Sequence, residues 1–264
     1  MRPGIILASY PVSQHALDLG RRFIRIYETH FPDAVIYIGI NSAPLMNEWA
    51  EIFQESSLEI YYDITPKNLE LCSDASAYQT ALRLYKDKSI NHDLVWFNHF
   101  KSVTHRETYG IADREIDELL LRRNQVEDVF ANPLVGFYAN KGWRYGHDMP
   151  DQVSKYYEFT YPHFRIQPLF TFFVVRGIAL QNLVQNSDIS LLNEPLPDRY
   201  FMENNALQLI CRQGYLPHIH NCVRNGDYSG VANVDTTAEL QAYLLNYIDS
   251  NPGFSYNRET NTNR

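Results

Sequence analysis

The chain has 264 residues, of which 45% are hydrophobic and 20% charged, a composition typical of a folded globular protein. Its formal net charge of −8 at pH 7 argues against a general polyanion-binding surface, so nucleic acid is not expected as an obligatory partner. The three cysteines are scattered without metal-binding spacing, and no segment is apolar enough to cross a membrane. We therefore expect a cytoplasmic protein with reduced thiols.

Short apolar runs alternate with helical patterns over the first hundred residues. We predict strands over 5–8, 35–40, 58–62 and 94–97. The intervening helices are predicted to begin near Ser13, Leu45 and Glu70. Strands that alternate with helices in this way form right-handed βαβ units. The sequence therefore predicts an α/β fold, Rossmann-like, with a mostly parallel central sheet flanked by helices.

The second half of the chain is less regular. A helix is predicted over 113–130, a strand over 133–138, and an irregular loop rich in aromatic residues over 139–162. A strand over 165–176, a helix to about residue 185 and a helix over 199–213, ended by Gly214, follow. We predict one domain over 1–254 and a polar tail over 255–264.

Polar residues follow the apolar run of the fourth strand. Asn98, His99 and Lys101 come directly after or close to Leu94–Phe97. In open α/β sheets, ligands bind beyond the carboxyl ends of strands, so these three residues are predicted to meet a ligand. The alternative interpretation is that they only end the strand and begin a loop.

Several strong signatures are absent from the sequence. No G-x-G-x-x-G follows the first strand, and there is no Walker A loop, H-E-x-x-H, G-x-S-x-G or kinase motif set. Classical dinucleotide oxidoreductases, P-loop NTPases, zincins and α/β-hydrolases are therefore disfavoured.

The order of elements, together with residues 202–215, resembles the GT-A class of nucleotide-sugar glycosyltransferases. In that class an acidic pair opens a helix that runs through apolar residues to Arg, then Gly and an aromatic residue. Here Glu203 and Asn204 stand where the acidic pair would, and three residues close the motif: Arg212, Gly214 and Tyr215. The Phe-rich stretch 168–175 is similar to the acceptor-side strand of rhamnan-synthesis-like members of glycosyltransferase family 2.

One position departs from that class. Its members usually end the central strand with Asp-x-Asp, which holds Mn or Mg on the sugar diphosphate, whereas this chain has Asn98-His99-Phe100. Asn and His are weaker ligands than two carboxylates for a hard cation. We therefore predict no metal ligand. A metal-independent transferase, or one with a remodelled metal site, fits the substitution, and Lys101 is available to offset diphosphate charge.

The resemblance implies roles for further residues. Glu203 becomes the catalytic base for an acceptor hydroxyl, although a first-turn Glu also simply stabilises its helix. Donor-binding candidates are Ser9, Tyr10 and Asp63, together with Asn98, His99 and Lys101. Acceptor-binding candidates are Trp143, Arg144, His147 and Asp148. Each of these residues also has a purely structural interpretation. His218 and His220 are expected to share one face of a strand.

The resulting hypothesis is a glycosyltransferase that moves a sugar from a nucleotide-diphosphate donor to a hydroxyl acceptor, in polysaccharide or glycoconjugate synthesis. It requires Asn98 and Glu203 to open onto one shared cleft. The alternative is a non-catalytic GT-A-like protein that binds a nucleotide sugar or a partner. A transferase acting on modified DNA bases is a third option, which the acidic charge disfavours.

Overall fold

The computed structural model describes residues 2–66, 74–100, 103, 113, 116–145, 165–168, 171–185 and 201–224. Within these ranges, the strands are β1 (Gly4–Ser9), β2 (Val35–Ile40), β3 (Glu59–Ile64), β4 (Leu94–His99), β5 (Val135–Tyr145), β6 (Arg165–Pro168), β7 (Phe173–Arg176) and β8 (Leu216–Arg224). The helices are α1 (Gln14–His30), α2 (Met46–Gln54), α3 (Asp74–Lys88), α4 (Arg123–Phe130), α5 (Gly177–Gln185) and α6 (Phe201–Arg212), with a π-helical turn at Ile116–Leu120.

All the described strands belong to one sheet. Its order is β3-β2-β1-β4-β7-β5-β6, and β8 also pairs with β5. β1 to β4 are mutually parallel, and β7 is antiparallel to both β4 and β5. β5 therefore runs in the same direction as β4, and β8 is parallel to β5. Since only β6 and β7 among the described strands run the other way, the predicted α/β fold with a mostly parallel, Rossmann-like sheet is confirmed.

The two faces of the sheet carry different helices. Side chains of Ile5, Leu7 and Trp96 point to a face covered by α1, α2, the π-helical turn and α4, which we call the α1 layer. Side chains of Ile6 and Phe97 point to the opposite face, covered by α3, α5 and α6, which we call the α3 layer. This division follows from the alternation of side chains along each strand.

Local signals in the sequence account for the placement of two helices. The Ser13 hydroxyl accepts a hydrogen bond from the Ala16 N–H at 3.3 Å and caps α1 where predicted. α3 lies unusually close to the sheet at Gly39. A Cβ atom on Gly39 would lie 1.8 Å from the Ala77 carbonyl oxygen, so only glycine permits this approach.

The structure corrects three predicted elements in the second half. Residues 139–145 were predicted as loop but continue β5, because β6 and β8 both pair with this stretch. The predicted strand over 165–176 is two strands, β6 and β7, each antiparallel to β5. The predicted helix over 113–130 divides into the π-helical turn and α4. The predicted tail over 255–264 lies outside the described residues.

Candidate functional site

The order of the parallel strands reverses between β1 and β4. The chain leaves β1 through α1 to reach β2 on one side, whereas β4 lies on the other side of β1. Ligands of open α/β sheets bind beyond the carboxyl ends of the strands at such a reversal, or switch point, although here α1, which follows β1, and the π-helical turn and α4, which follow β4, lie in the same layer. Tyr10 follows β1 here, and the Phe100 N–H, which follows β4, donates to the Ala8 carbonyl at 3.0 Å.

Buried polar side chains gather at this edge of the sheet in the α3 layer. The set consists of Thr65, Ser76, Gln79, Thr80, His99 and Thr171. The hydroxyl oxygens of Thr65 and Thr80 are 3.1 Å apart, and the Tyr78 hydroxyl donates to the Thr171 carbonyl at 3.0 Å. Sequence reasoning identified only His99 among them. The signal that sequence reasoning missed lies in the first half of α3. Its residues are small or polar and form no clear apolar stripe, yet all of them from Ala75 to Leu82 are buried.

His99 is the central side chain of this group. It is 1% exposed, and its Nε2 lies 3.8 Å from the Asp74 carboxylate. Its ring lies against Phe172, with centroids 5.1 Å apart, and near Tyr78. Asp74 is the first residue of α3, where the helix dipole favours a negative charge. An imidazole held beside a carboxylate is a group that can carry positive charge or a proton near neutral pH.

Asn98 has a different environment from its neighbour. Its side chain is fully buried in the α1 layer, beside the hydroxyl of Tyr27 on α1. Burial raises the pKa of Tyr27, and the Asn98 amide beside it acts in the opposite direction. Consecutive residues of a strand point to opposite faces, so Asn98 and His99 do not present their side chains to the same ligand.

α6 lies in the α3 layer, the layer that His99 occupies. Its buried residues, including Met202 and Ile210, belong to the α3 layer. Only residues 213–215 separate α6 from β8, and Gly214 turns the chain with φ 87°. α6 therefore runs against β8, and its first turn, with Glu203, lies toward the carboxyl edge. The expectation that Asn98 and Glu203 open onto one cleft is wrong for Asn98, which lies in the other layer. The role of Glu203 stays a prediction.

Three further donor-binding candidates, Ser9, Tyr10 and Asp63, differ in burial and in hydrogen bonding. Ser9 is buried, and its hydroxyl donates to the Gly39 carbonyl and accepts from Trp49 Nε1, both at 3.0 Å. Ser9 therefore has a defined structural role in the α1 layer. Tyr10 is partly buried at the end of β1. Asp63 is exposed on β3, at the edge of the sheet, and accepts from the Ile64 N–H at 2.8 Å. Their donor-binding roles stay predictions.

The acceptor-binding candidates fall at and beyond the end of β5. Trp143 and Arg144 are strand residues that pair with Gln167 and Ile166 of β6, and were predicted in a loop. His147 and Asp148, and the donor-side candidate Lys101, lie outside the described residues. His218 and His220 share a face of β8 as predicted, with ring centroids 6.4 Å apart.

Metal ligands do not converge where the resemblance would place them. Positions 98–100 offer an amide in the α1 layer, an imidazole in the α3 layer and the apolar ring of Phe100. These residues do not fit a divalent cation that prefers several oxygen ligands. Among the described residues, no group of three or more His, Cys, Asp or Glu side chains could hold a metal.

Comparisons with known proteins give only distant structural similarity. No protein-family model matches the chain, and no curated protein matches it. Among solved structures, the chain is similar to mannosyl-3-phosphoglycerate synthase from Rubrobacter xylanophilus, with 12% identity and a TM-score of 0.40 over 98% of this chain and 77% of that one. This likeness is too distant to assign an activity or a residue role. Within the described ranges, no helix has the length and apolar character needed to cross a membrane.

Proposed function

We propose that the protein is a glycosyltransferase that moves a sugar from a nucleotide-diphosphate donor to a hydroxyl acceptor, without an Asp-x-Asp metal site. The supporting observation is that buried His99, at the β1–β4 switch point, has its Nε2 3.8 Å from the partly exposed Asp74 carboxylate. His99 lies on the strand end where the resembled class carries its acidic motif. The first turn of α6, which opens the 202–215 motif, lies in the same layer and toward the same edge.

His99 has the task of receiving the diphosphate in this mechanism. The leaving group gains negative charge as its bond to the sugar breaks, and a transferase must neutralise that charge. An imidazole N–H can donate a hydrogen bond to a phosphate oxygen, and the Asp74 carboxylate lies 3.8 Å from Nε2 of this ring. Lys101 is proposed as a second cation for the same oxygens.

Glu203 has the task of accepting the proton of the acceptor hydroxyl. The hydroxyl oxygen then forms a bond to the anomeric carbon while the bond to the diphosphate breaks, and the proton stays on the carboxylate. Such a direct displacement inverts the anomeric configuration. The remaining parts of the proposal are a cytoplasmic location, an acceptor in polysaccharide or glycoconjugate synthesis, and donor contacts from Ser9, Tyr10 and Asp63.

A thermal-shift panel tests donor binding. UDP-, GDP-, dTDP- and CMP-sugars are added to the wild type, each with EDTA or with manganese. We expect at least one donor to raise the melting temperature in EDTA. We expect His99→Gln and Asp74→Asn to lose that shift, while the control His30→Gln, which changes an exposed histidine at the end of α1, keeps it. A shift that requires manganese would refute metal independence.

A turnover measurement distinguishes a glycosyltransferase from a non-catalytic binding protein. If no donor shifts the melting temperature, or a bound donor is never consumed, the non-catalytic binding protein becomes the better description. Where turnover is seen, NMR of the product is expected to show inversion at the anomeric carbon. Retention would remove Glu203 from the role of base.

A further inference from the structure

The strand β3 is far more exposed than the parallel strands beside it. Among the described strands it pairs only with β2, and its six residues are all exposed or partly exposed. Tyr62 and Ile64 are each 42% exposed, although both side chains are large and apolar. They lie on the same face as Ile60, which packs against the α1 layer, and the Tyr62 ring centroid is 5.2 Å from that of Phe53. An edge strand with exposed apolar side chains is a place where another strand can pair.

Alternate residues of β3 direct their backbone groups away from β2. The Thr65 N–H donates to the Ile40 carbonyl at 2.8 Å, so the odd-numbered residues of the strand form the hydrogen bonds with β2. Because successive residues of a strand direct their N–H and C=O groups to opposite sides, those of Ile60, Tyr62 and Ile64 point outward. These outward groups can form a ladder with a further strand.

The charges on β3 select one register for pairing with a second copy of the strand. In an antiparallel pair of identical strands, the two-fold axis passes through one residue of each copy. An axis at Tyr61 would place Glu59 opposite Asp63 of the second copy, and an axis at Asp63 would place the two Asp63 carboxylates opposite each other. Like charges directly opposite are destabilising. An axis at Tyr62 avoids both contacts and lets the outward backbone groups of the two copies face each other.

This register also brings opposite charges together on the other face of the strand. It places Asp63 opposite Tyr61 of the second copy, and Lys88 Nζ lies 4.1 Å from the centre of the Tyr61 ring. Opposite side chains have Cβ atoms about 5 Å apart, so the ammonium is within reach of the carboxylate of the second copy. Asp63 accepts a hydrogen bond from the N–H of its own neighbour Ile64 at 2.8 Å. On pairing, that N–H donates to the Ile60 carbonyl of the second copy, and the Asp63 carboxylate turns to Lys88.

We propose that the protein forms a two-fold symmetric dimer in which the β3 strands of two copies pair antiparallel about Tyr62. The two sheets then continue into each other, with an apolar row of Ile60, Tyr62 and Ile64 from both copies on one face and two Asp63–Lys88 ion pairs on the other. A single pair of short strands buries less than the roughly 1,200 Å² typical of stable interfaces, so we expect the dimer to dissociate on dilution. This inference does not depend on the proposed function.

Sedimentation velocity over a hundredfold range of protein concentration tests the dimer. We expect the wild type to shift from monomer to dimer as the concentration rises. Tyr62→Lys places two ammonium groups opposite each other at the axis and should weaken self-association about tenfold or more. The control Ile178→Lys makes the same exchange at an apolar side chain that is 48% exposed on α5, and it should stay within about twofold of the wild type. A wild type that is monomeric throughout, or unchanged association in Tyr62→Lys, overturns the proposal.

An exchange of charges tests the register and also serves if Tyr62→Lys does not fold. Lys88→Glu, at an exposed position of α3, places a carboxylate beside Asp63 of the second copy and should weaken association about fivefold or more. Adding Asp63→Lys restores opposite charges between the copies and should return association to within about threefold of the wild type. Lys86→Glu, at another exposed position of the same helix, is the control and should have little effect. No weakening in Lys88→Glu, or weakening that Asp63→Lys does not reverse, overturns this pairing of the strands.

Discussion

The two layers treat buried polar residues differently at the same edge of the sheet. In the α1 layer, Ser9 is fixed between Trp49 and Gly39, and Asn98 lies beside Tyr27, deep under α1. In the α3 layer, His99 lies near Asp74, which is partly exposed at the start of α3. One residue step along β4 therefore separates a core position from a candidate ligand position.

The distance at which the helices pack on the sheet explains part of this difference between the two layers. The α1 layer is filled by large rings, and Phe31 and Trp96 meet edge to face with centroids 5.0 Å apart. Its polar side chains are therefore covered. The α3 layer is thin over β2, because α3 rests on Gly39 through Ala77. A thin layer brings the first turn of the helix, with its polar groups, down to the strand ends.

The largest expected loss of stability follows from a substitution at Gly39, where α3 approaches the sheet most closely. Gly39→Ala would place Cβ against the Ala77 carbonyl oxygen, a backbone atom that cannot turn aside. We expect the free energy of unfolding to fall by about 3 kcal/mol, the upper range for overpacking, measured by urea denaturation. Ile38→Val, the adjacent residue facing the α1 layer, is the control and should cost about 1 kcal/mol. A loss below 1 kcal/mol in Gly39→Ala would contradict a thin α3 layer.

A paired substitution at the end of β4 tests the difference between the layers themselves. Asn98→Leu deprives the Tyr27 hydroxyl of its polar neighbour, and we expect a loss of about 1–3 kcal/mol of stability with donor affinity within threefold of wild type. His99→Leu should instead weaken donor binding at least tenfold, about 1.4 kcal/mol. Calorimetry with the donor found by thermal shift measures both. Equal losses of affinity in the two variants would show that the layers do not divide the roles.

A smaller effect is expected at the opposite edge of the sheet. His92 lies 2.9 Å from the Tyr37 hydroxyl through Nε2, and burial lowers the pKa of His92 while hydrogen bonding to the Arg2 backbone acts against this. The unfolded chain therefore binds a proton that the folded chain resists. Stability should be full above about pH 6.5 and fall as the pH drops toward the folded pKa.

Urea denaturation between pH 7.5 and 5 measures how steeply the free energy of unfolding changes with pH. His92→Gln should make this dependence weaker. The slope from one group cannot exceed about 1.4 kcal/mol per pH unit. His30→Gln, at an exposed position, should leave the slope unchanged. An identical slope in wild type and His92→Gln would show that other groups, such as Asp93 or Glu59, cause the dependence.

The smallest effect belongs to the solvated face of α1. Arg21 and Asp18 form an ion pair at 3.0 Å with both side chains largely exposed. Arg21→Ala should change the free energy of unfolding by about 0.3 kcal/mol, measured by urea denaturation. A loss above 1 kcal/mol would mean that this face of α1 is covered in solution.

The predictable part of the fold is the parallel half. β2 was predicted at its observed bounds, and Ser13 was predicted as the start of α1 and caps it. These elements carry their own signals in apolar runs and caps. The continuation of β5 through Gly142–Tyr145 carries no such signal, because it depends on pairing with β6 and β8. Asn98 and His99 were both recognised as strand-end residues, yet their opposite directions depend on which face each helix covers.

The position of β7 has a consequence for synthesis of the chain. β7 lies between β4 and β5, although it follows both in sequence. β1 to β4 can pair as soon as they leave the ribosome, but the free edge of β4, with Val95 and Phe97 beside it, stays without a neighbour until Phe173–Arg176 emerges. An unpaired apolar edge invites contact with other chains. During synthesis of the stretch between β4 and β7, this edge of β4 is therefore most exposed to contact with other chains.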